Sequence, residues 1–162
     1  MDAAEEGFDF LGYHFVKHRR FPRKKSLAKF KDAIRAKTRR TEGRSLSVII
    51  ADLNRTLRGW FEYFKHSHRT TFPSLDGWLR MRLRSMLRKR HGRRGPGRGA
   101  DHQRWPNAYF AALGLFSLQT AHAAVCQSSR RQNHRLDSRL RENRTSGSEG
   151  GETELNRSSL PP

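Results

Sequence analysis

Leu46, Ile49, Ile50, Leu53, Leu57, Trp60, Phe61 and Phe64 recur at helical spacing and fall within an arc of roughly 120° on a helical wheel. A strand would scatter these side chains over both of its faces, so the spacing predicts an amphipathic helix, opened by Ser45 or Ser47, that must bury one side. Two neighbouring segments can cover it. Leu27, Phe30, Ala33, Ile34 and Thr38 share one face of a helix capped by Ser26 and ended by Thr41-Glu42-Gly43. Leu75, Leu79, Leu83, Met86 and Leu87 share a face of a third helix opened by Pro73-Ser74, with Asp76 complementing the positive end of its dipole. Three such helices with short connections predict a mainly α protein built as a small helical bundle over residues 24–91.

The flanks read differently. Residues 1–23 carry an aromatic run, Phe8, Phe10, Tyr13 and Phe15 around Gly12, and then Phe21-Pro22, which predicts a short β-hairpin. Two strands alone are marginal in water, so the hairpin must lean on the helices or on other sequence. Residues 92–104 mix glycine, proline and arginine as a linker does. Residues 105–125 turn apolar again and predict a helical segment docked on the bundle, with Asn107 as a cap and Gly114 as its break or end. Residues 126–162 are dominated by Ser, Arg, Asn, Gly and Glu and predict a disordered tail.

Charge narrows the partners. The net charge is +19, and residues 17–98 hold 26 of the 34 Lys and Arg but only five of the 15 Asp and Glu. So much like charge on a compact segment repels itself, and a polyanion relieves it. Arginine outnumbers lysine 26 to 8, and a guanidinium both forks a phosphate and stacks on a base, which points to nucleic acid rather than a membrane surface. Cys126 is the only cysteine, which excludes an intramolecular disulfide and a Cys-x-x-Cys zinc site and makes a reducing, cytoplasmic compartment the default. The apolar run from Ala108 to Leu118, broken by Gly114, is short of the ~20 residues a membrane span needs.

No catalytic constellation emerges and no cofactor is implied. His66 and His68 have the wrong spacing for one helix face and lack a carboxylate or cysteine companion, so they read as helix-end or RNA-facing residues rather than metal ligands. Asp52 and Glu62 lie among Arg55, Arg58 and Lys65, as surface ion pairs do. The cationic faces are more informative. Arg80, Arg84 and Arg88 follow at i, i+4 and i+8, a line of like charge that a phosphate backbone would relieve and that screening counterions would otherwise solvate. Arg35 and Arg39 lie opposite the apolar face of the first helix. Arg82 falls inside the apolar arc of its helix, where it can stack on Trp78. Gly59 sits mid-helix beside Arg55 and Arg58, where alanine would be about 1 kcal/mol better. Either another helix packs closely there or an RNA backbone approaches.

Taken in order, Phe10-Leu11-Gly12-Tyr13, Ser26, Phe30, Ile34, Gly43-Arg44-Ser45, Leu53-Asn54, Leu57-Arg58-Gly59-Trp60, Tyr63-Phe64, Leu75-Asp76-Gly77-Trp78 and Arg82-Leu83 form a distinctive pattern. Trp105, Tyr109-Phe110, Gly114-Leu115 and Ser117-Leu118 continue it. The pattern, over residues 8–125, resembles the maturase-specific region, the thumb or domain X, of group II intron-encoded reverse transcriptases.

The resemblance implies binding of group II intron RNA to assist splicing and retromobility, and a grip on the template-primer duplex during copying. It marks Leu11, Gly12, Leu57, Trp60, Tyr63, Phe64, Trp78, Trp105, Tyr109 and Phe110 as core or family-motif positions. Arg35, Arg39, Arg55, Arg58, Gly59, Arg80, Arg82, Arg84 and Arg88 are the candidate RNA-contacting residues, chosen from the helical wheels. The paired aspartates of the family's polymerase palm have no counterpart, because no two aspartates are adjacent in this chain. The expectation is therefore an amino-truncated RNA-binding module without polymerase activity of its own. The alternatives are one piece of a split RNA-directed DNA polymerase whose palm is encoded separately, or a non-functional remnant.

Overall fold

The computed structural model describes residues 7–95 and 99–145. Three short strands, β1 (Phe8–Phe10), β2 (Tyr13–Val16) and β3 (Arg19–Pro22), precede α1 (Lys24–Lys37), α2 (Leu46–Phe64), α3 (Thr71–Arg90), α4 (Ala100–Arg104), α5 (Asn107–Ala112) and α6 (Leu118–Thr145). The chain divides into two units, Met1–Val125 and Cys126–Pro162, with α6 running through the division.

The expected hairpin is one strand larger, an antiparallel sheet in the order β1-β2-β3. The extra strand arises because Leu11 and Gly12 both take positive φ, 46° and 79°, which makes a tight two-residue turn between β1 and β2. That turn is fastened to the helices. Gly12 O accepts from Arg23 N at 2.9 Å and from Ser26 Oγ at 3.2 Å, while Leu11 O accepts from Tyr63 Oη at 2.6 Å. Tyr13 Oη in turn donates to Tyr63 O at 2.5 Å, and the two rings stack with centroids 6.0 Å apart. The sheet thus leans on the C-terminal end of α2. A Cβ at position 12 would meet Ser26, Tyr63 and Phe64 at 3.5–3.7 Å, so the glycine is needed for its φ rather than for space.

Engagement of Ser26 with Gly12 O explains why Ser26 is not the α1 cap. The helix starts two residues earlier, after Arg23, without a side-chain cap. Ser45, of the two candidates, caps α2 by accepting from Val48 N at 3.4 Å. α3 begins at Thr71 rather than Pro73, and its first turn accommodates Pro73 because a proline there forfeits no intrahelical hydrogen bond.

One core joins α1, α2 and α3 with the segment that follows. Ile34, Ile49, Leu53, Leu57, Phe72, Leu83, Met86, Phe110 and Leu118 are essentially inaccessible, with Phe30, Phe61, Leu75, Leu79, Leu87 and Trp105 beside them. Full burial of each large side chain contributes about 1.5–3 kcal/mol. The segment over 105–125 docks as expected: α5 places Phe110 in the core, and Gly114, at φ 78°, follows it as its break. Asn107 is the first residue of α5 rather than its cap, which falls on Pro106.

Several motif positions are not core. Leu11 is 68% exposed, Tyr63 54% and Tyr109 38%, while Trp60 and Trp78 are half-buried. Leu11 and Tyr63 serve the turn described above instead. Two further expectations are corrected. The 92–104 linker contains the short helix α4, whose Asp101 is buried. Residues 126–145, assigned to a disordered tail, continue α6. Good helix formers (Gln, Arg, Leu) occur throughout this stretch, with neither Gly nor Pro to break it, so propensity sustains the helix where composition alone suggests disorder. Its side chains from Cys126 to Arg141 are almost all exposed, Leu136 and Leu140 included. Residues 96–98 of the linker and 146–162 of the tail lie outside the described residues.

Candidate nucleic-acid interface

The cations of the bundle fall into two groups: those whose donors the fold itself occupies, and those that face solvent. Arg84 belongs to the first, at 2% exposure. Its Nε donates to Trp105 O at 2.9 Å, its Nη2 donates to Asn107 Oδ1 at 2.8 Å, and its guanidinium lies 5.3 Å from the centroid of Phe110. Burial, and then the charge of Arg80, lower its pKa, while Asp101 opposes them. Arg88 donates to Arg94 O at 2.8 Å and pairs with the buried Asp101 carboxylate at 2.6 Å. Arg80, half-buried, lines a small cavity with Asp76, Asn107 and Phe110. The row Arg80, Arg84 and Arg88 is therefore not a solvated stripe. It faces the connection through α4 and α5, whose backbone carbonyls need donors inside a low-dielectric packing layer.

Arg82 does not stack on Trp78. Its Nε donates to Thr38 Oγ1 at 3.2 Å and its Nη2 to Thr38 O at 3.0 Å, which ties α3 to the C-terminal end of α1. Burial and the nearby charges of Arg35 and Arg40 lower its pKa. The Trp78 ring is flanked instead by Lys31 and Arg35, each 5.7 Å from its centroid.

The second group faces outward. Arg35 pairs with Asp32 at 2.6 Å on the exposed side of α1, and Arg39 is exposed just beyond that helix. On α2, Arg55, Arg58 and Gly59 share an outward face, in keeping with their i, i+3, i+4 spacing. The Arg55 side chain is 83% exposed and only loosely paired with Asp52, at 3.6 Å. The Arg58 guanidinium sits 5.1 Å from the Phe116 ring centroid. A Cβ added at Gly59 would meet nothing within 4 Å, so no other helix packs there and the first of the two explanations for that glycine is removed.

The acidic residues act as ties within this cationic surface. Asp52 draws together Lys37 at 3.5 Å, Arg44 at 3.0 Å and Arg55, and the Arg44 hydrogen bond, followed by the Lys37 charge, holds its carboxyl below the usual range. Glu62 pairs with Lys65 at 2.9 Å. His68 contacts Thr70 Oγ1 at 2.9 Å and packs near Phe21. His122 stacks on Phe72 with centroids 4.5 Å apart, and burial lowers its pKa. Among the described residues no group of three His, Cys, Asp or Glu side chains could hold a metal ion, and no helix is long and apolar enough to cross a membrane.

Three structural polar residues escaped the sequence reading. Asp76 does not complement its own helix; buried at 2%, it accepts from Ser117 Oγ at 2.7 Å, Leu118 N at 3.1 Å and Gln119 N at 3.2 Å, and so caps α6. Asn54 of α2 donates to Gly114 O at 2.7 Å and accepts from Phe116 N at 2.8 Å, clamping the turn before that helix. Asp101 anchors Arg88. The available signal was the scarcity of acids between residues 17 and 104: a lone carboxylate in so basic a stretch has a specific partner to hold.

Residues 27–105 match the family model for the group II intron, maturase-specific domain. This span takes in α2, α3 and all but the first three residues of α1, with the outward Arg55, Arg58 and Gly59 face and the inward Arg84 and Arg88. Among curated proteins, none matches the chain.

Proposed function

From the premise that residues 27–105 are a maturase-specific region of a group II intron protein, we propose that the chain is an RNA-binding module that grips group II intron RNA and assists its folding for splicing. The observation that carries this reading is the outward cationic surface on a hydrogen-bonded scaffold: Arg39, Arg55 and Arg58 reach solvent, while Arg82, Arg84 and Arg88 are tied into the scaffold. Cations carried on a folded backbone bind phosphates with less ordering cost than those of a flexible basic tail. The open space over Gly59, beside Arg55 and Arg58 on α2, lets a sugar-phosphate backbone approach the helix closely. The module works without a polymerase activity of its own, since the sequence has no adjacent aspartates to bind catalytic metal ions, and it acts in the reducing cytoplasm.

Competition binding of the purified chain tests this, with intron RNA as probe and an unrelated structured RNA of equal length as competitor. The intron RNA should win by at least about tenfold, or roughly 1.4 kcal/mol. Equal competition would reduce the activity to non-specific charge attraction and refute the reading.

A second reading, one piece of a split RNA-directed DNA polymerase, draws on the sheet. β1 is an edge strand, and Phe8 and Phe10 on it are 65% and 59% exposed, an apolar surface that a separately encoded palm would cover. A neighbouring reading frame ending in paired aspartates, together with RNA-dependent DNA synthesis only when both products are mixed, would favour this reading.

A further inference from the structure

We propose that the cleft formed by Arg40, Lys89, Arg93 and Arg94 is a phosphate-binding notch that seats successive phosphates of the bound RNA backbone. The inference rests on the RNA-binding reading above and adds a site to it that the helical wheels do not predict. The four side chains, with Gly95, line a surface cavity of about 250 Å³ where the chain beyond α1 meets the C-terminal end of α3. All four are exposed, and none has a carboxylate partner among the described residues. The nearest acids are occupied elsewhere, Glu42 by Arg44 at 3.0 Å and Asp101 by Arg88 at 2.6 Å.

Basic side chains at helix C-termini commonly serve to cap carbonyls. Here the backbone already does that. His91 N donates to Leu87 O at 3.1 Å, Gly92 N to Lys89 O at 3.0 Å and Arg93 N to Arg88 O at 3.0 Å. At the end of α1, Ile34 O accepts from Thr38 N and Oγ1, and Thr38 O accepts from Arg82. The four cations are thus left over from capping.

The segments that carry them are nonetheless tied down. Arg88 spans from the buried Asp101 to Arg94 O and so pins the loop that carries Arg93 and Arg94, and Arg90 donates to Glu42 O and Arg44 O, holding the segment after Arg40 against α3. Like charges gathered around one opening repel, which a bound anion reverses. One phosphodiester carries a single charge and a free phosphate about two, so four cations match a run of backbone phosphates better than a small ion.

The test uses the full chain and intron RNA, with affinity measured over a salt series. R93Q/R94Q should flatten the dependence of log affinity on log salt by about 1.4 units, and R40Q, on a different segment, by about 0.7, at ~0.7 per single-strand contact. R130Q/R131Q on α6 removes equal charge and should leave the slope within about 0.3 of the parent, well under one contact. Unchanged slopes in both cleft variants, with the parent still preferring intron RNA, would overturn the notch while leaving the functional reading intact. Equal flattening by R130Q/R131Q would also overturn it, as an effect of net charge. A parent chain that shows no preference for intron RNA removes the functional reading and this inference with it. Inorganic tripolyphosphate should displace the RNA only in large excess; displacement at near-stoichiometric amounts would mark a small-anion site and overturn the assignment. Unchanged far-ultraviolet circular dichroism verifies that each variant is folded, and R40Q reports on the notch independently of the 93–94 loop.

Discussion

The Asp76 carboxylate accepts a hydrogen bond from the Leu118 amide at 3.1 Å, across 42 residues of chain. A residue in the early part of α3 thereby caps the start of a different helix, α6. Ser117 and Gln119 donate to the same carboxylate, so three donors converge on one buried acid.

Replacing Asp76 with Ala should therefore destabilise the bundle by about 2–3 kcal/mol, the loss of charge-assisted bonds and of a cap together. Urea unfolding followed by circular dichroism measures it. Asp76→Asn should recover part of that loss, because its amide oxygen still accepts, whereas an exposed acid such as Asp32 should cost under about 0.5 kcal/mol when changed to Asn.

Arg84 and Arg58 separate a structural arginine from one proposed to contact RNA. Arg84→Met should lower stability by about 2–3 kcal/mol by leaving Trp105 O and Asn107 Oδ1 without their donor, and should leave the salt dependence of RNA affinity unchanged. Arg84→Lys should rescue little, since one ammonium cannot reproduce the fixed fork that reaches both acceptors. Arg58→Gln should do the reverse, with stability within about 0.5 kcal/mol of the parent and a salt slope flatter by ~0.7.

Tyr63→Phe isolates the bond to Leu11 O. Loss of that bond should cost about 1 kcal/mol and fall on the sheet rather than on the core. Hydrogen exchange should quicken at Arg23 N, which donates to Gly12 O in the same turn, while amides of Leu53 and Leu57 exchange as before.

His122 supplies a pH dependence of stability. Burial first, and then the charges of His68 and His66, favour its neutral form in the folded state, opposed by a bond with the Ser67 backbone. The unfolded chain therefore binds the proton more readily, so stability is full above the ordinary imidazole range and falls as pH drops below about 6.5 toward the lower folded value. His122→Phe, which keeps the stacking on Phe72, should shrink the fall in melting temperature between pH 7.5 and pH 5.5. A fall of the same size in the variant would assign the dependence to other groups.

What the sequence determined by itself is whatever depends on local period and composition. The Leu46–Phe64 stripe placed α2 within a residue or two, because only a 3.6-residue period brings those side chains to one face. The partnership of three amphipathic helices followed, since each apolar face required cover, and Gly114 was legible as a break because a residue at φ 78° after α5 favours glycine. The concentration of charge between residues 17 and 98 was likewise legible, and it is what motivates the proposal of a polyanionic partner.

Tertiary structure alone decided which cations face solvent and which the fold occupies. A helical wheel records the direction of Arg80, Arg84 and Arg88 but not what lies in that direction, and the α4–α5 connection that claims two of them is 10 or more residues distant in sequence. The same holds for Asp76 with Leu118, Asn54 with Gly114 and Tyr63 with Leu11, all pairings across 42–60 residues. It holds too for the Arg40, Lys89, Arg93 and Arg94 cleft, whose members come from two segments. Long-range hydrogen bonds leave no periodic trace in a sequence, because their geometry is set by how helices cross rather than by the spacing of residues within one.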